Sequence, residues 1–171
     1  TWLGKGGNGT AYEAHRQIDG KKVVVKALEM TANHLKHAFA EALALDRIRG
    51  HPHFPELLDV FMRSPGQIHL VLEHAGTDLS IYMRRAAKDG GTPPSAVRDV
   101  ILHVALPLKT LHGIGLAHAD VKPHHIFVKE LGDGRLQTKL GDLGSVLEAL
   151  AHRFFVFIFP LTLCVSVSLS F

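Results

Sequence analysis

The order in which apolar spacing switches between the strand period of two and the helix period of 3.6 restricts this chain's fold more than any other feature. Residues 10–16 and 22–28 read as two strands around an Asp19-Gly20 turn. Residues 31–48 read as a helix, with Leu35, Phe39, Leu43 and Ile48 on one side. Residues 57–62 and 68–72 are apolar runs separated by Ser64-Pro65-Gly66, hence two further strands. Thr92-Pro93 opens a long helix as capping residue and first-turn proline. Val97, Ile101, Val104, Leu108 and Leu111 mark its buried face, and Gly113 ends it. Residues 126–129 and 136–140 form a hairpin joined by Gly132-Asp133-Gly134. Strands with one helix inserted, then a helix and a hairpin, lack the strict alternation of a parallel α/β sheet. The expectation is an α+β architecture in two lobes.

With 171 residues, 46% of them apolar, the chain suffices for one packed domain. It opens on Thr1 rather than methionine, which suggests a cut or processed start, and no leader is visible there. The net charge of +3 is mild and no long Lys/Arg run occurs, so nothing points to a nucleic-acid partner. The single cysteine, Cys164, excludes an internal disulfide and fits a reducing compartment, with the cytoplasm favoured. Thirteen histidines invite a metal reading, through His51/His53 or His124/His125. Neither pair has a cysteine or carboxylate at zinc-site spacing, so they read as surface or packed side chains.

"GKGGNG", from Gly4 to Gly9, fits G-x-G-x-x-G, but a dinucleotide site needs a strand before it and a helix after it. Here a strand-like run, "TAYEA", follows, and no strand fits in the two residues before Gly4. A Walker A loop fails too, because no Gly-Lys-Ser/Thr follows. What remains is either a plain hairpin turn or a glycine loop laid over nucleotide phosphates, where missing side chains let backbone amides approach. "VVVK" puts Lys26 at the end of an apolar strand. If buried it needs an anionic partner, for which Glu41 in the next helix is the candidate; otherwise the lysine reaches solvent and Glu41 is solvated.

Strand glycines, a strand lysine, a helix glutamate, "HADVKPHH" and "GDLG" occur in the order of a eukaryotic protein kinase. Residues 3 to about 147 therefore resemble that family, in its serine/threonine form. The resemblance implies a complete β-rich N-lobe with one helix and the hinge over residues 1–75. A partial helical C-lobe follows over 76–147, and the chain departs from the family shortly after its Asp-Leu-Gly motif. It implies ATP and Mg2+ as cofactors and a protein as substrate. Gly4, Gly6 and Gly9 would cover the phosphates, with Leu3 also in contact with the nucleotide and Ala11 beneath the adenine. Lys26 would hold the α- and β-phosphates and pair with Glu41. "LVLEHAGTDL" looks like the segment between the lobes, with Leu72 as gatekeeper, Glu73 and Ala75 offering backbone groups to adenine, and Asp78 near the ribose. Asp120 would accept the proton of the substrate hydroxyl, Lys122 would stabilise the transferred group, and Asp142 would bind magnesium. The shared wager is that Lys26, Asp120 and Asp142 converge on one cleft.

Two positions depart from the family pattern. Ala119 replaces the arginine that normally pairs with a phosphorylated activation loop, so that switch is expected to be absent. His125 replaces an asparagine that supplies a metal-binding oxygen. Magnesium prefers hard oxygen donors and imidazole suits other metals, so the second metal position should be weakened. A pseudokinase-type ATP-binding or scaffold module is the alternative function.

Residues 148–171 do not resemble a kinase and contain "RFFVFIFPLTLCVSVSLSF". Residues 154–171 carry no charge and would reach about 27 Å as a helix, the lower limit for a membrane span. Pro160 and the β-branched residues weaken that helix. Every residue of 154–171 except Cys164 has a pyrimidine at its second codon position. That points instead to read-through of a pyrimidine-rich tract near an intron end. Membrane attachment is expected only through this segment. The helix over residues 95–112 is expected to leave part of its apolar stripe uncovered and prone to association, making the chain poorly stable and weakly active.

Overall fold

The computed structural model describes residues 1–6, 9–63, 66–131 and 134–148. Strands β1 (Trp2–Gly6), β2 (Gly9–His15), β3 (Lys22–Glu29), β4 (Leu57–Met62) and β5 (Gln67–Glu73) form one antiparallel sheet in the order β1-β2-β3-β5-β4. Helix α1 (Ala32–Arg47) joins β3 to β4. The second half contains β6 (Thr77–Asp78), α2 (Leu79–Lys88), α3 (Pro94–Gly113), β7 (Leu116–Ala117), β8 (Ile126–Glu130), β9 (Leu136–Leu140) and β10 (Leu147–Glu148). The α+β class holds.

The first correction concerns β1, which runs through Gly4 rather than being excluded by the glycines. Its pairing with β2 places Gly4 opposite Ala11, after a register shift between Trp2 and Gly4. Gly9 has φ +133, and a Cβ there would collide with the carbonyl oxygen of Ala27 on the neighbouring strand. Glycine is thus required at that position by backbone packing.

The second correction concerns α1. Thr31 caps it by accepting from the His34 amide, and Leu35 and Ile48 lie against the core. Phe39 and Leu43, however, are 56% and 62% exposed, while Ala38, Glu41, Ala44 and Leu45 face inward. The small alanines let the helix approach the sheet, and the Lys26 ion pair draws Glu41 inside. Large apolar residues alone misread the buried side.

The third correction concerns α3, which starts one residue later, with Pro93 at the cap and no side-chain cap bond from Thr92. Val97 and Ile101 are exposed, whereas Ala96, Asp99, Pro107 and Leu111 are buried. The helix is apolar on more than one side, so spacing could not tell which stripe packs. Asp99 is drawn inward because its Oδ2 accepts from the Leu136 amide at 3.0 Å. Asp78 caps α2 by accepting from the Ile81 amide at 3.0 Å.

The main core joins residues from both halves: Ala44, Leu45 and Ile48 of α1 pack with Leu79, Leu111, Leu140 and Leu143. A smaller cluster of Leu28, Ala38, Ile68 and Leu70 fills the space between α1 and the sheet. Among the described residues no helix is long and apolar enough to cross a membrane. The expectations for the segment 149–171 lie outside the described residues.

Candidate active site

The sheet register carries the first part of the site. Gly4 opposes Ala11, Ala11 opposes Lys26, and Lys26 opposes Leu70, so these residues form one row across four strands. Directly paired residues point to the same face of a sheet, which sets Ala11 beside Lys26. At Gly4 and Gly6 a Cβ would meet nothing, so neither glycine is demanded by the chain's own packing. That leaves the strand backbone open to approach from outside.

Lys26 is the hub. Its Nζ donates to Glu41 Oε2 at 2.6 Å and to Asp142 Oδ1 at 2.7 Å. Burial would pull the lysine pKa down, but Glu41 and Asp142 together hold it above its ordinary value, so Lys26 remains a cation. Glu41, only 2% exposed, is pushed up by burial, with Lys26 opposing that shift. The reading of Glu41 as a solvated glutamate is therefore set aside.

Asp142 is held on both oxygens. Besides Lys26 on Oδ1, His125 Nε2 lies 2.9 Å from its Oδ2. Burial would raise this carboxyl, but the His125 hydrogen bond and the Lys26 charge hold it well below the usual carboxylate range. His125 reaches the other side of the site as well. Its Nδ1 lies 2.9 Å from the backbone oxygen of Asp120, and since a carbonyl can only accept, Nδ1 donates there. Asp120 Oδ2 accepts from Lys122 Nζ at 2.8 Å. Lys26, Glu41, Asp120, Lys122, His125 and Asp142 thus form one connected cluster, drawn from β3, α1 and the two loops flanking the β8–β9 hairpin.

The remaining predicted residues sit around it. Leu3 lies at the β1 register shift and is largely exposed. Glu73 ends β5, where its amide donates to the Glu56 carbonyl at 2.9 Å and its carboxylate accepts from Lys139 at 2.6 Å. Ala75 follows in the connection to β6 and is partly buried. Asp78 is already committed through Oδ1 to capping α2.

Several supporting residues have roles that the motifs do not assign. His118 is 1% exposed; its Nε2 donates to the Gly141 carbonyl at 3.0 Å and its Nδ1 accepts the Asp120 amide at 3.3 Å. Burial lowers its pKa, in keeping with a neutral ring that accepts at one nitrogen. His118 thereby fixes the residue before Asp142 to the loop that carries Asp120. The Gly141 amide donates to the His125 carbonyl at 2.8 Å, a second tie between the same loops. His37 of α1 donates from Nδ1 to the Gly144 carbonyl at 2.6 Å, anchoring the turn after Asp142 to the helix that carries Glu41. The dense histidines around "HADVKPHH" were the available signal, but only contact geometry separates a strut from a ligand.

The residues suit a divalent ion unequally. Asp142 offers a partly exposed carboxylate held ionised, which suits a hard cation. His125 offers nitrogen where magnesium would want oxygen, so it does not suit magnesium as a second ligand. A cavity of about 660 Å³ is lined by Gly6 and Gly9 together with Tyr12, Val25, Ala27 and His69, and includes none of the clustered charges.

A five-stranded antiparallel sheet with one helix, joined to a helical half through a lysine–carboxylate cluster, defines the kinase-like fold class. The chain belongs to the protein kinase family, whose domain model matches residues 1–155. It is 30% identical over 146 residues to the serine/threonine-protein kinase ATG1c of Arabidopsis thaliana, covering 83% of this chain and 19% of that protein. It is 31% identical over 153 residues to CBL-interacting protein kinase 22 of Oryza sativa subsp. japonica, covering 78% and 33%. It is 26% identical over 170 residues to Wee1-like protein kinase 2-B of Xenopus laevis, covering 86% and 30%. The chain thus spans between about a fifth and a third of these curated relatives.

Proposed function

We propose that this chain is the nucleotide-binding and catalytic-loop part of a serine/threonine protein kinase, which moves the γ-phosphoryl group of ATP to a protein hydroxyl. The observation that carries this reading is Lys26 bonded to Glu41 and Asp142 at 2.6 and 2.7 Å, with His125 linking Asp142 to the Asp120 loop. Lys26 is held charged, so a phosphate oxygen can exchange for one of its carboxylate partners. Gly4, Gly6 and Gly9 present backbone to the triphosphate, with Leu3 and Ala11 against the base. Glu73 and Ala75 would offer backbone groups to adenine, and Asp78 would lie near the ribose.

In the transfer, the acceptor hydroxyl oxygen forms a bond to the γ-phosphorus as the bond to the ADP oxygen breaks. The hydroxyl proton passes to Asp120, and Lys122 neutralises charge on the moving group. Rate enhancement comes from positioning and electrostatic stabilisation. Magnesium, which the family generally uses, would be held by Asp142 and would supply neutralising charge to the phosphates.

The test is incubation of the chain with radiolabelled γ-phosphate ATP and a serine- and threonine-containing peptide mixture. Label on serine or threonine, lost by at least 100-fold in Asp120→Asn and Lys26→Met, is the expected result. Transfer that survives Asp120→Asn unchanged overturns the assignment. One observation favours a pseudokinase-type scaffold instead: both oxygens of Asp142 are already engaged, by Lys26 and His125. That reading expects ATP to raise the unfolding temperature without any transfer of label. A cytoplasmic location, with anchoring through residues 154–171 as the alternative, is tested by fractionating chains with and without residues 153–171.

A further inference from the structure

We infer that the face of the sheet turned away from Lys26 carries a second ligand site, which takes a flat aromatic anion bearing a hydroxyl group. The inference stands apart from the nucleotide reading, because none of its side chains belongs to the Lys26 cluster.

The sheet register builds the site. Lys5 pairs with Thr10, Thr10 with Ala27, Ala27 with His69 and His69 with Phe61, so one row crosses all five strands. Thr10 and Ala27 are each one residue from Ala11 and Lys26, and successive residues of a strand point to opposite faces. The row therefore lies on the far side of the sheet from the ion pairs. All five of its residues line the cavity of about 660 Å³, a volume within the range of small-molecule sites. The row is small in the middle and long at its ends. Thr10 and Ala27 make a floor, continued along their strands by the Tyr12–Val25 pair. Lys5 stands at one end, and His69 with Phe61 at the other. Neighbouring strands are about 4.8 Å apart, so the Lys5 and His69 backbones are separated by roughly 14 Å. With both side chains reaching inward, that span suits a plate of two fused rings.

His69 dictates what the ligand must offer. It is 7% exposed and stacks on Phe61, yet its Nε2 has no hydrogen-bond partner in the protein. Buried polar atoms are nearly always paired, so this nitrogen calls for a partner from outside the chain. A hydroxyl both donates and accepts, so it serves either tautomer of the ring. Charge sets the second requirement. Of the charged side chains lining the cavity, Lys5 and Arg63 are basic and Glu29 is acidic, which leaves the wall positive on balance. A carboxylate at the end of the ligand opposite the hydroxyl meets Lys5. Tyr12 and Phe61, both partly open to solvent, supply aromatic walls for the plate.

The experiment uses the full chain and the probe 6-hydroxy-2-naphthoate, whose hydroxyl and carboxylate lie at opposite ends of two fused rings. Its fluorescence should report saturable binding to one site. The wild type should bind 2-naphthoate, which lacks the hydroxyl, about tenfold more weakly, and His69→Phe should bind the two probes equally. Lys5→Gln should weaken 6-hydroxy-2-naphthoate about threefold and leave 2-naphthol unaffected. Because the site faces away from Lys26, saturating AMP-PCP should not displace the probe. In the wild type, a readout that needs no variant to fold, nuclear Overhauser contacts should join the probe to the Ala27 methyl and the Phe61 ring. Displacement by AMP-PCP, absence of those contacts, or equal wild-type affinity for the two naphthoates overturns the inference. So does a lack of saturable binding, and none of these outcomes bears on phosphoryl transfer.

Discussion

Ala119 stands in the left-handed backbone region at φ 63, beside Asp120. A Cβ in that region crowds the following carbonyl, at roughly 1–2 kcal/mol. Ala119→Gly should therefore raise stability by about 0.5–1 kcal/mol, read as a higher midpoint in denaturant unfolding. An unchanged or lower midpoint would show that the turn tolerates the methyl group. Gly141 makes the opposite case: a Cβ there would lie 2.6 Å from the ring of Phe127. Gly141→Ala should destabilise by about 1–3 kcal/mol, and adding Phe127→Leu should recover part of that loss. Gly141 immediately precedes Asp142, so nucleotide binding should fall along with stability. His118 belongs to the same scale, since its two hydrogen bonds lock the Asp120 loop to Gly141.

At the scale of elements, α1 and β3 are tied by one ion pair whose two ends differ in what they leave behind. Removing Lys26 strands Glu41 in the core and frees Asp142 from its cation. Removing the charge of Glu41 leaves Lys26 still bound to Asp142. Lys26→Met should accordingly destabilise by about 3 kcal/mol, and Glu41→Gln by clearly less, measured by denaturant unfolding of both variants. Equal losses would mean that Asp142 contributes nothing to holding the lysine. The same helix shows what the sequence could reveal and where it stopped. The helix after Thr31, the strands after the glycines and the α+β order follow from local chemistry, since turns and element ends are set by neighbouring residues. The inward face of α1 does not. It is chosen by a glutamate whose partner lies on another element, and by alanines whose value is their small size. In α3 the apolar residues surround the helix, so the packed stripe is decided by Asp99 reaching the Leu136 amide on β9. In the site, Lys26, Asp120 and Asp142 were recognisable from motif order, whereas His37 and His118 act through backbone carbonyls remote in sequence.

Across the whole molecule, the core that links α1 with Leu111, Leu140 and Leu143 makes the two halves share their stability. Outside it, Val97, Ile101, Leu102 and Leu106 of α3 are between 44% and 51% exposed. Such a stripe favours association, and Ile101→Glu with Leu102→Glu should lower the apparent mass in light scattering at high concentration. A mass that does not change would place the contact elsewhere. Acid sensitivity is a second property of the whole chain. His51, His69, His103 and His118 all have pKa values lowered from 6.5, with burial the largest cause in each. As pH falls through the unfolded value of 6.5, the unfolded chain takes up protons that the folded chain refuses. Stability is therefore full above that pH, declines below it, and levels off once the folded pKa values are passed. The depressed carboxylates Asp99 and Asp142 add their loss only at lower pH, because their ordinary value is 3.8. The unfolding temperature should fall steadily between about pH 7 and pH 5. His69→Phe removes one of these groups while keeping a ring against Phe61, 5.1 Å away between centroids, and should make that fall shallower. A wild-type unfolding temperature that stays level or rises on acidification through this range would contradict the burial of neutral histidines.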